Sequence, residues 1–295
     1  MTAVLLAGLA FLIATRGGAH AGATRVPSGP TGLAVGDAEI WVASSEAGTV
    51  SRINPRSHAV AATVHVGGVP LDAAFGHGSA WVTVSSRDEV VRIDPTGNRV
   101  TDKVVVGNAP GAIIADDTAV WVANHRANSI SRIDPATSSV VATIPVGRRP
   151  SGLAAGFGAV WVANANDRTV SRIDAATNSV VATIPVGHSP AALTTTNDAV
   201  WVANGRSRSV ARIDPDSNTV ATTTRVGNRP LVLTAGDGAV WVANVEDNTV
   251  SRIDPATGHV LRTTAVGSDP SALVVHDGIL WIASDGDNEV SRVRT

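Results

Sequence analysis

The chain has 295 residues, with 23 Lys and Arg against 25 Asp and Glu, and it contains no Cys and no Tyr. The near-neutral balance excludes a globally basic nucleic-acid binder, and the lack of cysteine excludes thiolate nucleophiles, Cys-ligated metal centres and a disulfide scaffold. Apolar residues make up 44% of the chain and charged residues 16%, which is typical of a globular protein with a large core.

Residues 1–21 have the pattern of a signal peptide. An apolar run from Ala3 to Ala14 is followed by Ala19-His20-Ala21, which matches the A-x-A cleavage pattern. The run is shorter than the roughly 20 residues that span a bilayer. We therefore predict that residues 22–295 form the mature chain and are exported to the periplasm, cell envelope or medium without membrane insertion. Since no Lys or Arg precedes the run, the alternative is an upstream start and a longer membrane anchor.

Tryptophan recurs every 40 residues, and one proline and one arginine recur with the same period. The tryptophans are Trp41, Trp81, Trp121, Trp161, Trp201, Trp241 and Trp281. Four-stranded propeller blades take about 40–45 residues each. The repeat therefore predicts an all-β fold, a seven-bladed β-propeller over residues 22–295.

One unit shows why each blade should hold four strands. Residues 151–155, 159–163, 169–174 and 179–186 are short stretches rich in Val, Ile, Thr and Trp. Turn-forming Gly, Asn, Asp and Pro residues separate them, and no segment has a helical period. The last copy ends after its third strand, while residues 22–26 have the phase of a fourth. We predict that the N-terminal strand completes the last blade and closes the ring.

The repeated residues are expected to be structural. Each tryptophan should pack between neighbouring blades. If the second and third strands pair, Trp161 lies opposite Arg172, which predicts a guanidinium beside an indole in every blade. Asp174 shares a strand face with Arg172 and is predicted to neutralise it. Blades one and seven have Asn54 and Arg294 at that position, so this pairing should be weakest near the closure.

The fourth-to-first and second-to-third connections should emerge on one face, where loop substitutions leave the strands unchanged. From blade three to blade six these connections form a basic arc. The predicted binding residues are Arg126, Arg148, Arg149, Arg168, Arg206, Arg208, Arg229, His125, His188, Asn124, Asn164 and Asn204. The arc predicts a protein or anionic ligand such as phosphate, a polyanionic glycan or single-stranded nucleic acid. Base stacking is disfavoured because the tryptophans are expected to be buried. The alternative is a solvated arginine-rich surface.

The rest of this face is predicted to be acidic. Asp285, Asp287 and Glu289 lie at alternate positions, as a calcium ion would use, but the glycine spacing of an EF-hand is absent, so they are weak metal candidates. Asp72 is the only charge among equivalent positions of the innermost strands and is a candidate channel residue. No catalytic motif appears in a suitable context. We therefore expect no cofactor, no resident metal and no enzymatic activity.

The units WVANANDRTVSRIDAATNSVVATIPVG and WVANVEDNTVSRIDPATGHVLRTTAVG resemble YVTN-type repeats, the group that includes YncE-like proteins. The resemblance implies an exported seven-bladed propeller, and single-stranded DNA binding has been ascribed to the group. The chain is more distantly similar to virginiamycin B lyases, which have a WFTE-like second strand and often a His after the blade proline. Here Ser, Val or Asn replaces that Glu, and no His follows a blade proline.

These departures favour a monomeric, non-enzymatic binding protein. Two alternatives stay open. One is a lyase-like enzyme, and the other is an extracellular sensor or scaffold domain of a longer protein.

Overall fold

The computed structural model describes residues 22–295, so the predicted signal peptide lies outside the described residues. The described chain forms seven four-stranded antiparallel sheets. No helix in residues 22–295 has the length and apolar character needed to cross a membrane. The prediction of an all-β seven-bladed propeller is confirmed.

The strands follow one another without crossover inside each blade, from the central channel outwards. The chain starts with β1 (Thr24–Arg25), which belongs to blade 7. Blade 1 contains β2 (Pro30–Gly36), β3 (Glu39–Ser44), β4 (Thr49–Ile53) and β5 (Val60–His65). Blade 2 contains β6 (Pro70–Gly76), β7 (Ser79–Val84), β8 (Glu89–Asp94) and β9 (Arg99–Val105). Blade 3 contains β10 (Pro110–Ala115), β11 (Val120–Asn124), β12 (Ser129–Asp134) and β13 (Ser139–Pro145).

The remaining blades repeat this order. Blade 4 contains β14 (Pro150–Gly156), β15 (Ala159–Asn164), β16 (Thr169–Asp174) and β17 (Ser179–Pro185). Blade 5 contains β18 (Pro190–Thr195), β19 (Val200–Asn204), β20 (Ser209–Asp214) and β21 (Thr219–Arg225). Blade 6 contains β22 (Pro230–Gly236), β23 (Ala239–Asn244), β24 (Thr249–Ile253) and β25 (Val260–Ala265). Blade 7 adds β26 (Pro270–His276), β27 (Ile279–Ser284) and β28 (Glu289–Arg294) to β1. Short 3₁₀ turns span Ser85–Arg87, Gly205–Ser207, Val245–Asp247 and Asp285–Asp287.

The burial of each strand follows its place in the blade. Every residue of β15 is buried, because a second strand has a neighbouring blade on both faces. The outermost strand β17 has only Ile184 fully buried, because its outer face meets solvent. Trp41 packs with Ala73, Val82 and Ile93 of blade 2, so the core lies between blades rather than inside one. This is why each blade needs a neighbour.

The predicted pairing of tryptophan and arginine is confirmed, since Trp161 is registered against Arg172. In six of the seven described pairs the guanidinium carbon lies 5.0–5.4 Å from the indole centroid. The Nη1 group of Arg172 also donates to the carbonyl oxygen of Pro215 at 2.6 Å and to Oδ1 of Asn218 at 2.9 Å, both in blade 5. The arginine therefore holds the next blade as well as its own tryptophan.

The prediction that Asp174 neutralises Arg172 is wrong. The Asp174 carboxylate accepts hydrogen bonds from the backbone N–H groups of Thr177 and Ala176 and caps its own turn. The pKa of Asp174 is lowered mainly by the Thr177 backbone N–H, and the charge of Arg172 contributes least. At the ring closure, Arg52 pairs with Glu39 at 2.5 Å. Hydrogen bonds to a neighbouring turn, rather than an acidic partner, satisfy most of these arginines.

The chain ends meet in blade 7, as predicted. Thr24 pairs with Val290 and Arg25 with Glu289. Oδ1 of Asn288 accepts a hydrogen bond from the backbone N–H of Gly29 at 2.9 Å. The closing strand spans two residues rather than the predicted five. Core packing across the junction between blades 7 and 1 adds to this short strand pairing, because Trp281 shares one hydrophobic cluster with Leu33, Ile40 and Ile53 of blade 1.

Candidate functional site

Two connections of each blade meet on one face, which we call the upper face. In blade 4 these are residues 146–149, before the first strand, and residues 165–168, between the second and third strands. The backbone N–H of Ala165 donates to the carbonyl oxygen of Arg149 at 3.0 Å, and that of Asn166 donates to Arg148 at 3.3 Å. The same pair of loops recurs around the ring. The opposite face is the lower face.

The upper loops are held by side chains that cap their N–H groups. Oδ2 of Asp167 accepts from the backbone N–H of Arg148 at 2.5 Å, and Oδ1 of Asn128 accepts from that of Arg149 at 2.8 Å. These caps hold Arg149 at a φ of 61°, in the left-handed region that residues other than glycine rarely adopt. Arg168, Arg208 and Arg229 have the same backbone conformation. Several candidate arginines are therefore displayed by an ordered backbone.

The predicted asparagines lie beneath this surface. Asn124, Asn164 and Asn204 are fully or almost fully buried. Nδ2 of Asn164 donates to the hydroxyl oxygens of Thr169 at 3.1 Å and Ser171 at 2.9 Å. A Cβ placed on Gly147 would lie 2.6 Å from Cγ of Asn164, so loop and amide are in close contact. The asparagines support the loops from below rather than line the surface.

The arginines of blades 4, 5 and 6 rim a cavity on the upper face of about 620 Å³. We call it the arginine cavity. Its charged lining residues are Arg149, Arg206, Arg208, Arg229 and Glu246, and His125 also lines it. All four arginines are exposed. The lining therefore carries four cationic groups against one carboxylate.

His125 is held as a neutral imidazole at the edge of the arginine cavity. Nδ1 lies 3.2 Å from the carbonyl oxygen of Pro150, which has to accept its proton, and Nε2 accepts a hydrogen bond from Nε of Arg149 at 2.6 Å. Partial burial lowers the pKa of His125, and the positive charges of Arg149 and Arg126 lower it further, against the raising effect of the Pro150 carbonyl. The proton is therefore on Nδ1, and Nε2 points to the arginine.

The other predicted basic residues lie outside the arginine cavity. Arg126 and Arg148 line a neighbouring upper-face cavity of about 450 Å³, which shares His125 and Arg149 with it. Arg148 is also paired with Asp167 at 2.6 Å. Nη1 of Arg168 contacts Nε2 of His188 at 3.3 Å. The structure thus divides the predicted basic arc into two cavities and a separate Arg168–His188 pair.

Glu246 lines the arginine cavity although it is not among the predicted binding residues. The sequence places it in the acidic part of the face, because blade 6 carries Glu246 and Asp247 together. The order of the loops does indicate that Glu246 lies near the arginines, since the loop of blade 6 follows the arginine loops of blade 5 in the ring. Asp247 is occupied elsewhere, accepting from the backbone N–H of Asn228 at 2.6 Å.

Asp72 lies in the central channel, as predicted, among inner strands that enclose about 520 Å³. Its carboxylate accepts hydrogen bonds from the backbone N–H groups of Ala73 at 2.9 Å and of Ile113, in blade 3, at 3.2 Å. Burial raises the pKa of Asp72 to about 6, although both hydrogen bonds act in the opposite direction. Thr83 completes the cluster by donating to the carbonyl oxygen of Gly111 at 2.8 Å. Asp72 therefore bridges blades 2 and 3.

The three acidic candidates of blade 7 have separate structural contacts. Oδ2 of Asp287 accepts a hydrogen bond from the backbone N–H of Ser268 at 2.7 Å, and Glu289 is buried in β28, where it is registered against Arg25 of β1. Burial raises the pKa of Asp285, as do the charges of Glu46 and Asp269. Within residues 22–295 no group of three or more His, Cys, Asp or Glu residues is arranged to hold a metal ion.

Comparison with known proteins identifies the family of the chain. The model of the virginiamycin B lyase family matches residues 19–219 and 69–295. The chain belongs to the virginiamycin B lyase family. The more distant of the two resemblances is thus confirmed, whereas the assignment to YVTN-type repeats stays a prediction. No curated protein matches the sequence.

Solved structures show the same fold at low sequence identity. The chain is 18% identical to a virginiamycin B lyase from Staphylococcus aureus, with a TM-score of 0.81, covering 91% of this chain and 95% of that chain. A streptogramin B lyase structure is 15% identical, with a TM-score of 0.82 over 92% and 95%. A hydrazine synthase from Kuenenia stuttgartiensis is 15% identical, with a TM-score of 0.80 over 97% and 99%. Similarities this distant show a shared fold alone.

Proposed function

We propose that this member of the virginiamycin B lyase family binds a small anionic ligand in the arginine cavity of its upper face. The single observation that carries the proposal is the charge of the cavity lining, in which Arg149, Arg206, Arg208 and Arg229 face one carboxylate, Glu246. A volume of about 620 Å³ suits a small molecule. Guanidinium groups bind carboxylates and phosphates through paired N–H donors.

The arginines of the cavity are available to a ligand. Within the described residues, Arg206, Arg208 and Arg229 take part in no ion pair, whereas the neighbouring Arg148 is paired with Asp167. Loop backbone with left-handed φ holds Arg208 and Arg229 in place. Four like charges around one cavity repel each other, and an anion removes that repulsion. This favours a bound anion over a purely solvated surface.

Single-stranded nucleic acid fits this surface less well than a compact anion. Proteins that bind single-stranded nucleic acid without sequence preference combine a basic groove with exposed aromatic rings on which the bases stack. The chain has no tyrosine, and all seven tryptophans are buried. The ligand we expect is therefore a phosphorylated or carboxylated small molecule, or an acidic side chain of a partner protein.

Isothermal titration calorimetry with inorganic pyrophosphate and with citrate tests the proposal. The triple variant Arg149→Glu, Arg206→Glu and Arg229→Glu reverses the charge of the cavity. Binding to the wild type should weaken as salt is raised, and the triple variant should lose at least about tenfold in affinity, since each lost charge-assisted hydrogen bond is worth about 1.5–3 kcal/mol.

The matched control reverses the same number of charges elsewhere. Arg56→Glu, Arg99→Glu and Arg262→Glu change exposed residues away from the arginine cavity. Arg56 lies on a lower-face turn, and Arg99 and Arg262 lie on outer strands. The control variant should bind like the wild type. Equal loss of affinity in both triple variants would show that only net charge matters and would overturn the proposal.

A second candidate function is lyase activity, favoured by family membership and by the presence of both His125 and Glu246 on the arginine cavity. A solved relative is a catalytically inactive His-to-Ala variant of the Staphylococcus aureus lyase with quinupristin. Bond cleavage by elimination needs a base, and the neutral imidazole of His125 can serve as one once Arg149 no longer donates to its Nε2. Incubation with virginiamycin B, followed by liquid chromatography, tests this function. Turnover that His125→Ala abolishes and His77→Ala, on the lower face, retains would support it.

A further inference from the structure

In blades 1 to 4 the arginine of the third strand holds the next blade through the same pair of contacts, which we call the arginine clamp. Nη1 donates to a backbone carbonyl oxygen 43 residues later and to a side-chain oxygen 46 residues later in the chain. The four clamps of this kind are Arg52 with Pro95 and Asn98, Arg92 with Pro135 and Ser138, Arg132 with Ala175 and Asn178, and Arg172 with Pro215 and Asn218.

The clamp is replaced between blades 5 and 6. Nη2 of Arg212 donates to Oδ2 of Asp198, in its own blade, at 2.8 Å. The residue that would accept its second hydrogen bond is Gly258, which has no side chain. Nε of Arg212 is buried and has no partner among the described residues. The sequence explains the change, because blade 5 provides a nearby carboxylate while blade 6 lacks the side-chain acceptor.

A cavity of about 530 Å³ lies on the lower face beside the missing clamp. Its lining includes two carboxylates, Asp198 and Asp237, and Pro255, whose carbonyl oxygen corresponds to the clamp acceptor of blades 2 to 5. Asp198 is 58% exposed and paired with Arg212, while Oδ2 of Asp237 accepts from the hydroxyl of Thr295 at 2.9 Å. The lining therefore offers oxygen acceptors where four other blade junctions hold a guanidinium group.

We propose that this lower-face cavity binds a guanidinium group, supplied by a free guanidino compound or by an arginine side chain of a partner. The Pro255 carbonyl and the two carboxylates accept its N–H groups, as the corresponding oxygens accept those of the clamp arginines. Planar guanidinium uses such a spread of acceptors better than ammonium does. The site lies on the face opposite the arginine cavity and takes a ligand of opposite charge, so it is independent of the function proposed above.

The substitution Gly258→Asn tests the inference by restoring the missing acceptor. Asn98, Asn178 and Asn218 occupy the same turn position with φ of 49–56°, so asparagine suits the left-handed backbone of Gly258. A Cβ on Gly258 would lie 3.4 Å from Oγ1 of Thr224, which is ordinary contact. With Asp198→Asn added, Arg212 is freed from its own blade and completes the clamp. Arg212 should then occupy the site itself.

Binding is measured by saturation-transfer NMR and calorimetry with methylguanidinium, with methylammonium as the comparison cation at equal ionic strength. The wild type should bind methylguanidinium saturably and methylammonium at least several-fold more weakly. The variant carrying Gly258→Asn and Asp198→Asn should lose this binding while its melting temperature stays equal or rises. The control Gly278→Asn changes a lower-face glycine of similar φ with no atom within 4 Å of its Cβ, and it should bind normally.

Competition experiments distinguish the two sources of the guanidinium group, and a further variant tests the site without restoring the clamp. N-acetyl-arginine amide and an arginine-containing peptide should compete with methylguanidinium, with the peptide the stronger competitor if a partner protein is the source. Asp237→Asn should weaken binding without engaging Arg212. Absence of saturable binding to the wild type, or equal binding to the clamp-restored variant, would overturn the inference. The charge reversal of the arginine cavity should leave methylguanidinium binding unchanged.

Discussion

Asp72 is predicted to make the stability of the propeller depend on pH, and Asp72→Asn isolates this dependence. Burial in the channel raises the pKa of this carboxyl to about 6, against about 3.9 for an exposed aspartate. The folded state therefore binds a proton more tightly than the unfolded state does. Because the folded pKa is the higher one, the stabilising contribution of protonated Asp72 is full below about pH 4 and is lost as the pH rises through about 6.

The magnitude follows from the two pKa values. Their difference corresponds to about 3 kcal/mol over the whole titration, of which about 1 kcal/mol falls between about pH 7 and pH 5. In Asp72→Asn the amide oxygen still accepts one backbone N–H, from Ala73 or Ile113, but its NH₂ group cannot accept the other. The variant therefore lacks one of the two hydrogen bonds at every pH and has no carboxyl to titrate.

Urea unfolding of both proteins at several pH values between about 5 and 7.5 measures the effect. The free energy of unfolding of the wild type, minus that of Asp72→Asn, should rise by about 1 kcal/mol as the pH falls from about 7 to 5. Taking the difference between the two proteins removes the pH dependence that they share. A difference that is flat or falls on acidification would show that burial does not control the protonation of Asp72.

Further predictions concern the clamp and the upper loops. Arg172→Met should lower the free energy of unfolding by about 2–3 kcal/mol in urea titrations, because two hydrogen bonds to blade 5 are lost. Arg212→Met should cost clearly less, since its partner Asp198 is largely exposed, and an equal cost would refute the clamp as the cause. Gly147→Ala should lower the melting temperature by several degrees because its Cβ would meet Asn164 at 2.6 Å, whereas Gly111→Ala, with no atom within 4 Å, should be nearly neutral.

The fold was predictable because the repeat carries both spacing and phase. The period of 40 predicted the number of blades, and the phase of residues 22–26 predicted which strand closes the ring. The register of Trp161 and Arg172 also followed, since it depends only on strand alternation and loop length. Local rules of strand geometry are sufficient to predict these features.

The contacts of charged side chains were less predictable, because they depend on neighbours in another blade. The strand face shared by Asp174 and Arg172 indicated an ion pair, yet the turn after Asp174 offers N–H groups closer to its carboxylate. Position within one unit likewise indicated that Asn124 and Asn164 reach the surface, whereas the glycine loops above them leave room only for buried amides. The cavity of blades 3 to 6 required the loops to be placed in three dimensions.

The arginine clamp has one direction, from a blade to its successor. Blades 2, 3 and 4 therefore each have a donor at one boundary and the matching acceptors at the other. Copying or deleting one of these three units in the gene leaves complementary clamp halves at the new junctions, so the blade number can change there without a new interface. The altered junction after Arg212 is a position where one copy has already diverged from that shared scheme.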